Sequence, residues 1–446
     1  MTSEIPGVDL GASGGTTMTA ELERPVTPRP STTVAEPLRD PTFARLWFAQ
    51  VVSSLGTEVS ALAIPLIAVV ALAAPPAGVA ALTAAAYLPA LILGLPAGSL
   101  ADRGDQRHLL VACDLFRALT LLVIPIGWTL GWVGLPALAV VVFLVGCGSV
   151  VFDVALQALT PRLVRPERLV LANARLQLGV QGAGLAGPVI GGILVAVVSA
   201  PLAVLADAAS YVATAGLLIG MRSPERDRGD APPADGARNG LTAGLRYVIS
   251  DPILRASAAA SFTAGLGTRA VQALLVLALV RVGGLGPATV GLVFTAGGLG
   301  FVVGAAVADR TIARAGVGVS SIVGLLIVAL TVAAIAVAPD ALFGPAVAIA
   351  FFIHGCAAMI YNVATVSIRQ VVAPRPLIGR VSAAVRMLSW ASFPVGALLG
   401  GTVASILGIR PAIAIAAVAT LLGVVPLVRS PIRRIGRLEE VAARAA

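Results

Sequence analysis

Glu58, Arg269 and His354 each lie inside a run of apolar residues long enough to cross a bilayer, and that placement is what gives them chemistry. An ionisable group at membrane depth is costly unless it pairs with another, faces a water-filled space or serves a function there. A carboxylate such as Glu58 takes up a proton when desolvated and gives it up beside an arginine, so a site alternating between these environments can carry protons. It could equally be a structural hydrogen-bond partner. Arg269, at a similar depth in the seventh run, has three readings: neutralising Glu58, binding an anionic substrate, or holding a helix contact. His354 could relay protons or be a packed histidine with its ring nitrogens satisfied. These three are the proton-coupling candidates.

The elements that must position them are membrane helices. Of 446 residues, 58% are hydrophobic and 12% charged, and the mean hydropathy is +0.95. Soluble chains average roughly 45–50% apolar and about 25% charged, so this composition belongs to an integral membrane protein, all-α because helices satisfy their own backbone in lipid. Twelve runs of roughly 18 to 25 apolar residues follow one another, each sufficient for about 30 Å of hydrocarbon. All 31 basic residues are arginine. All but Arg269, Arg281 and Arg410 fall in the tails, the alternate loops and the helix ends beside them. That bias places both termini in the cytoplasm and the chain in the cell (inner or plasma) membrane, multi-pass. Clustered between apolar runs without interleaved aromatics, the arginines read as topology, so the +9 charge does not imply nucleic acid.

The chain divides into a disordered cytoplasmic tail (1–40), a six-helix half (41–220), a cytoplasmic linker with an amphipathic helix (221–255), a second six-helix half (256–428) and a cytoplasmic tail (429–446). The tail at 1–40 has no apolar core of the kind a secretory signal needs. The halves repeat: Asp102 and Arg103 are echoed by Asp309 and Arg310, Pro166 and Leu169 by Pro374 and Leu377, Gly191 and Gly192 by Gly400 and Gly401. The offsets of 207, 208 and 209 are those of a duplication with small insertions. Cys113, Cys147 and Cys356 sit within apolar runs without metal or disulfide spacing. With two histidines, His108 and His354, and no nucleophile, phosphate or metal motif, no enzyme and no metal site is expected.

Between the second and third runs lies G-S-L-A-D-R-G-D-Q-R-H, Gly98 to His108. Its G-x-x-x-D-R-x-x-x-R pattern, carried by Gly98, Asp102, Arg103 and Arg107, resembles the loop signature of the major facilitator superfamily. Asp105 stands where that pattern usually has glycine, and His108 replaces a second basic residue. In this form the loop is similar to the enterobactin-exporter and macrolide-efflux branch of drug:proton antiporters. A-N-A-R-L-Q and G-P-V-I-G-G in the fifth run, L-A-D-A-A-S-Y in the sixth and G-R-V-S-A-A-V-R-M-L-S-W before the eleventh extend the likeness over about residues 38–437.

The resemblance implies two pseudo-symmetric six-helix halves with a substrate path between them, lined by helices 1, 4, 7 and 10. Each of those runs carries polar residues within about 100° of one face. They are Gln50, Ser54, Thr57 and Glu58; Ser149, Asp153 and Gln157; Ser257, Ser261, Thr268 and Gln272; and His354, Tyr361, Asn362 and Thr365. Gln50, Ser54, Thr57, Gln272, Tyr361 and Asn362 are the substrate-cavity candidates. Relatives place an acid one position before Glu58, where this chain has Thr57. Asp207, Ser210, Tyr211 and Thr214 of the sixth run also share a face, read as packing against a neighbouring helix. Asp114 and Arg117, one turn apart, are expected to join the Asp102 loop network, and with Asp153 to form a cytoplasmic gate. Salt bridges among Asp102, Arg103, Asp309 and Arg310 would close that side in the other state. Gly187, Pro188, Gly191 and Gly192 resemble the glycine and proline pattern of antiporters, where helix 5 either bends and slides or packs tightly and rigidly.

The function these features imply is proton-coupled efflux, by alternating access, of a small lipophilic compound such as an antibiotic, a siderophore or another natural product. The proton gradient is the coupling source, with no cofactor; the partners are the substrate, the proton and the bilayer, and a monomer is expected. An uptake symporter on the same scaffold and a non-transporting membrane sensor or assembly partner are the alternatives.

Overall fold

Each half opens its first membrane helix with the same device. Asp40 accepts hydrogen bonds from the backbone N–H groups of Thr42 (2.8 Å) and Phe43 (3.4 Å), and Asp251 from those of Ile253 (2.9 Å) and Leu254 (2.8 Å). In both, proline follows at the first helical position, where its missing N–H costs nothing. The computed structural model describes residues 40–103, 105–165, 168–221, 236–374 and 377–436, with the side chains of 95, 98, 99, 101–103 and 236–241 outside the description.

Helices α1 (Pro41–Leu66), α2 (Pro76–Arg103), α3 (Gln106–Thr129), α4 (Leu135–Leu163), α5 (Leu169–Val198) and α6 (Ala200–Ile219) make the first half. The linker carries α7 (Gly236–Ser250), an amphipathic helix that lies against the second half, with Gly244 packed on the Arg380 backbone. The second half holds α8 (Pro252–Arg281), α9 (Pro287–Ala315), α10 (Val317–Val337), α11 (Phe343–Val372), α12 (Ile378–Leu407) and the pair α13 (Ile409–Leu422) and α14 (Val424–Arg429). Among the described residues twelve spans are long and apolar enough to cross a membrane. Among the described residues the architecture is thus all-α, with twelve spans in two sets of six.

Three details depart from the expected boundaries. The first span starts at Pro41, ahead of its apolar run, because the Asp40 cap sets it. The last span breaks at Gly423, where an added Cβ would lie 3.0 Å from the Ala260 carbonyl oxygen and from Ala264. The segment after Arg429, expected as a plain tail, folds back through residue 436: Ile432 is fully buried, and Val317 and Gly318 donate backbone hydrogen bonds to the carbonyls of Gly436 (3.2 Å) and Ile435 (3.1 Å). These bonds occupy N–H groups that the start of α10 leaves without helical partners.

The two ends of the bundle are packed differently. On the side away from the chain termini, here the far side, one continuous apolar core joins both halves, running from Leu62 and Ile67 through Val204 to Leu274, Leu279 and Ile413. On the terminus side the apolar clusters separate, one in the second half around Leu254, Ile368 and Val381, the others in the first half around Leu46, Leu110 and Phe43. Hydrogen bonds and ring contacts cross between the halves at mid-membrane and beyond it on the far side. They include Arg281 to the Ala74 carbonyl (2.7 Å), the Ala77 N–H to Ser405 (3.0 Å) and Thr295 to the Leu185 carbonyl (3.2 Å). The halves are closed on the far side and part on the terminus side.

Candidate transport cavity

A cavity of about 430 Å³ sits at the closed end of the parting, between α1, α2, α4 and α6 of one half and α8 and α9 of the other. Its floor on the far side is α8, where every residue from Ala270 to Leu279 except Gln272 is buried. Of the expected cavity residues, Thr57 and Gln272 line it, as do Glu58 and Asp153. Gln50, Ser54, Tyr361 and Asn362 do not border the enclosed space; they lie one to three helical turns nearer the terminus side. There, Tyr361 shares a hydrogen bond of 3.0 Å with Ser261, tying α11 to α8, while the Gln50 amide donates to Ser54 (3.4 Å).

Glu58 rests in a groove made by the glycines of α5. A Cβ on Gly187 would overlap the Glu58 side chain, meeting Cγ at 2.9 Å, and one on Gly191 would come within 3.1 Å of the Val59 Cα. Small residues permit such approach where larger ones hold helices apart. Glu58 makes no hydrogen bond or ion pair among the described residues. The opposite edge of the same α5 motif meets the other half: a Cβ on Gly192 would lie 2.7 Å from the Pro287 carbonyl oxygen, and the Pro188 carbonyl abuts Gly291 of α9. One glycine and proline segment therefore seats the carboxylate on one edge and closes the far side on the other.

Arg269 does not pair with Glu58. Its guanidinium lies 3.6 Å from the ring centre of Phe393 on α12 and 5.7 Å from that of Tyr87 on α2, and it donates a hydrogen bond to the Gln272 side chain. Tyr87 and Phe393 themselves meet edge to face at 4.9 Å. The arginine is thus a clasp between halves that also orients a cavity amide. Such cation–π contacts are worth about 2 kcal/mol or more when desolvated. His354 turns to α10, with Nδ1 3.2 Å from the Thr331 hydroxyl and its ring stacked on Phe351, and it does not line the cavity. That is the packed-histidine reading.

Asp114 and Arg117 form a buried ion pair in the wall of the first half, not in the loop. Thr214 of α6 donates to Asp114 (2.8 Å), Arg117 reaches Ser149 of α4 (3.4 Å), and the guanidinium lies over the rings of Phe152 (4.4 Å) and Tyr211 (4.1 Å). Tyr211 in turn shares a 3.0 Å hydrogen bond with Thr57. All of these partners lie within one half, so the pair braces α3, α4 and α6 against α1 instead of gating between halves. The polar face of the sixth run does pack as expected, with Asp207 and Ser210 against Gly56 of α1, but Asp207 and Tyr211 also border the cavity.

At the loop, the side chains of Asp102 and Arg103 and the surroundings of Gly98 lie outside the described residues. Arg107 donates to the carbonyls of Leu218 (3.0 Å) and Ile219, anchoring α3 to the end of α6. Asp105, the departure from the loop pattern, caps α3 through the N–H of Arg107 (2.9 Å) and contacts the His108 ring at 2.9 Å. Partial burial pushes its carboxyl up, but those hydrogen bonds and the His108 charge outweigh it and hold the group below the usual carboxylate range. Asp309 and Arg310, near the terminus-side end of α9, are exposed and make no ion pair among the described residues.

Sequence reasoning missed Thr83 of α2 and Ser60 of α1, both bordering the cavity. Thr83 and Tyr87 stand four residues apart, which on a helix is one face, and that spacing in an apolar run was the available signal.

A family model described as transmembrane secretion effector matches residues 31–445. The multidrug efflux pump Tap of Mycolicibacterium fortuitum is 28% identical over 356 residues, covering 76% of this chain and 84% of that protein. Among solved structures, a bacterial homologue of the human lysosomal transporter Spinster, inward-facing and unoccupied, superposes with a TM-score of 0.67 at 15% identity, covering 91% of this chain and 98% of the other. A bacterial homologue of the iron transporter ferroportin, also inward-facing, gives 0.67 at 17% identity, covering 87% and 98%. At these identities the structures speak for the fold alone.

Proposed function

Because the chain belongs to the transmembrane secretion effector family of major facilitator transporters, we propose that it exports a small, lipophilic compound across the cell membrane in exchange for protons. The observation that carries this reading is Glu58: a carboxylate at mid-membrane, bordering a closed-end cavity and without an ion-pair partner among the described residues. The similarity to an efflux pump supports the direction. The arginine bias supports a cytoplasmic terminus side, so the cavity in this state opens to the cytoplasm.

In the mechanism, substrate enters from the cytoplasm while Glu58 is ionised. The halves then exchange their contacts, separating at the α5–α9 and α2–α12 interfaces and joining on the terminus side. A proton arriving from outside neutralises Glu58 and favours return to the inward-open state. Substrate and proton must each differ in affinity between the two states, or no cycle is driven. Arg269 holds the far side shut in this scheme, and Asp114 with Arg117 keeps the first half rigid as it moves.

The test is transport in proteoliposomes under an imposed pH gradient with a panel of antibiotics and siderophores. Wild type is expected to move a compound uphill and Glu58→Gln only to equilibrate it. Accumulation in the opposite direction would establish uptake instead, and undiminished uphill movement by Glu58→Gln would move the coupling site elsewhere.

A further inference from the structure

Arg269 does not border the cavity, yet it fixes the chemistry of one edge of it. A guanidinium carries five N–H donors and no acceptor, so whatever it bonds must accept from it. Its bond to Gln272 therefore takes the amide oxygen, Oε1, and turns the amide –NH2 away from the arginine. Gln272 stands exposed on the cavity floor between buried neighbours, and its Nε2 has no acceptor among the described residues. The Tyr87 hydroxyl is a second partner of the guanidinium and also borders the cavity. Its oxygen accepts from Arg269, so its own proton must point elsewhere.

The other hydroxyls on the cavity wall are set the opposite way. Thr57 donates to the Ser53 carbonyl (2.9 Å), Thr83 to that of Val79 (3.3 Å) and Ser149 to that of Val145 (3.0 Å), each one turn back on its own helix. With the Thr57 proton taken, Tyr211 must be the donor in the 3.0 Å bond between them, and Ser60 is bonded to Asp207. These groups have lone pairs to offer a ligand, and their protons are spent. The donors left for a ligand are gathered at one edge, on Gln272 and Tyr87, with the charge of Arg269 behind them. A donor backed in this way is strengthened, because each bond polarises the next.

We propose that this edge is where the substrate is recognised: the compound carries a hydrogen-bond acceptor, a carbonyl, ether or similar oxygen, that docks on the Gln272 amide and the Tyr87 hydroxyl, with Arg269 as the positioning residue. The proposal rests on the export reading and narrows it from any lipophilic compound to one with an acceptor at this point. The cavity, at about 430 Å³, falls within the roughly 300–1,000 Å³ of sites for drug-sized ligands, and Val142, Val276 and Phe294 supply apolar wall for the rest of the molecule. A compound without the acceptor would leave two donors unpaired as it displaced water from them, and that penalty is the source of the selectivity. Tyr87 belongs to the first half and Gln272 to the second, so both reach one acceptor only while the far side is closed. Affinity then differs between the two states, as a driven cycle requires.

The test uses triphenylphosphine oxide and triphenylphosphine sulfide, neutral molecules of nearly one shape whose oxygen is a strong acceptor and whose sulfur is a weak one. Saturable binding to the full chain in lipid nanodiscs is measured, each ligand referred to its partition into empty nanodiscs. The oxide is expected to bind about 5- to 30-fold tighter, which is what one or two net hydrogen bonds supply. Gln272→Glu keeps the shape and the bond to Arg269 but turns no donor to the cavity, so the ratio should fall to about fivefold or less. Arg269→Ala frees the amide to turn and should lower the ratio too, whereas Phe393→Leu, which leaves the bond between Arg269 and Gln272 in place, should keep it. A general loosening of the far side would weaken both ligands alike and leave the ratio unmoved. Equal binding of the two ligands, no saturable oxide binding, or a ratio unchanged in Gln272→Glu would overturn the assignment. Gradient-driven movement of a compound by a protein that shows no oxide preference would leave export standing and remove the acceptor site. An oxide preference with no compound moved under a gradient would keep the site and remove export.

Discussion

The far side and the terminus side of this bundle are built from the same residue types and behave oppositely. On the far side both halves share one apolar core, and their backbones touch wherever a glycine allows it, as at Gly192 with Pro287 and Gly401 with Pro76, where a Cβ on the glycine would lie 2.7 and 3.0 Å from the proline carbonyl oxygen. On the terminus side each half keeps its own core and its own charges, Asp114 with Arg117 in the first and the folded-back residues 430–436 in the second. The difference separates two kinds of interaction. Those inside a half persist through a transport cycle, whereas those between halves must be made and broken within it.

The strongest way to probe that division is to break an internal brace. Asp114→Ala leaves Arg117 buried without its counter-charge, which costs about 3–5 kcal/mol. Thermal melting of the purified protein should fall sharply, while the distance between spin labels on the far side, at Trp132→Cys and Leu342→Cys in a background free of the native cysteines, should stay as in wild type. A changed distance at unchanged stability would show the pair to act between halves.

Gly192→Val should do the reverse. Its side chain would enter the Pro287 backbone, overpacking the closed interface by about 1–3 kcal/mol. The same spin-label pair is expected to report a shift of roughly 5- to 150-fold toward far-side opening, with melting little altered. A far side still closed would mean that α5 and α9 are not the lock.

The smallest effect is expected from the clasp. Phe393→Leu removes the ring that meets Tyr87 of the other half edge to face and keeps most of the apolar volume, so it should loosen far-side closure by about 0.5–1.5 kcal/mol, roughly 2- to 13-fold in population. Arg269→Ala should give a similar shift and also release Gln272, adding a loss of substrate affinity that Phe393→Leu does not show. Equal affinity loss in both variants would deny Arg269 its role in orienting the amide.

Much of the architecture was legible in the residues. Apolar runs of membrane length, arginines on alternate loops and the offset echoes of Asp102, Pro166 and Gly191 gave the spans, the halves and the linker helix, because hydrocarbon solvation acts on each segment separately. The candidate site was legible only in part. Glu58, Thr57, Gln272 and Asp153 were found because a polar residue in an apolar run is conspicuous. Phe393 was not, since an aromatic in such a run carries no such signal. Asp114 and Arg117 were rightly paired by their spacing but assigned to the loop, because spacing along one helix does not say which neighbours cover it.

The sequence by itself determined how many times the chain crosses the membrane, which segments repeat and which residues pay a penalty for being there. Only the tertiary structure decided that Glu58 sits on the α5 glycines, that Arg269 faces aromatic rings instead of Glu58, and that Asp207 of α6 borders the cavity with Glu58 and Asp153. The reason is geometric. Burial in lipid is a property of a segment, whereas a contact depends on the rotation of two helices, and one residue along a helix turns a side chain by about 100°.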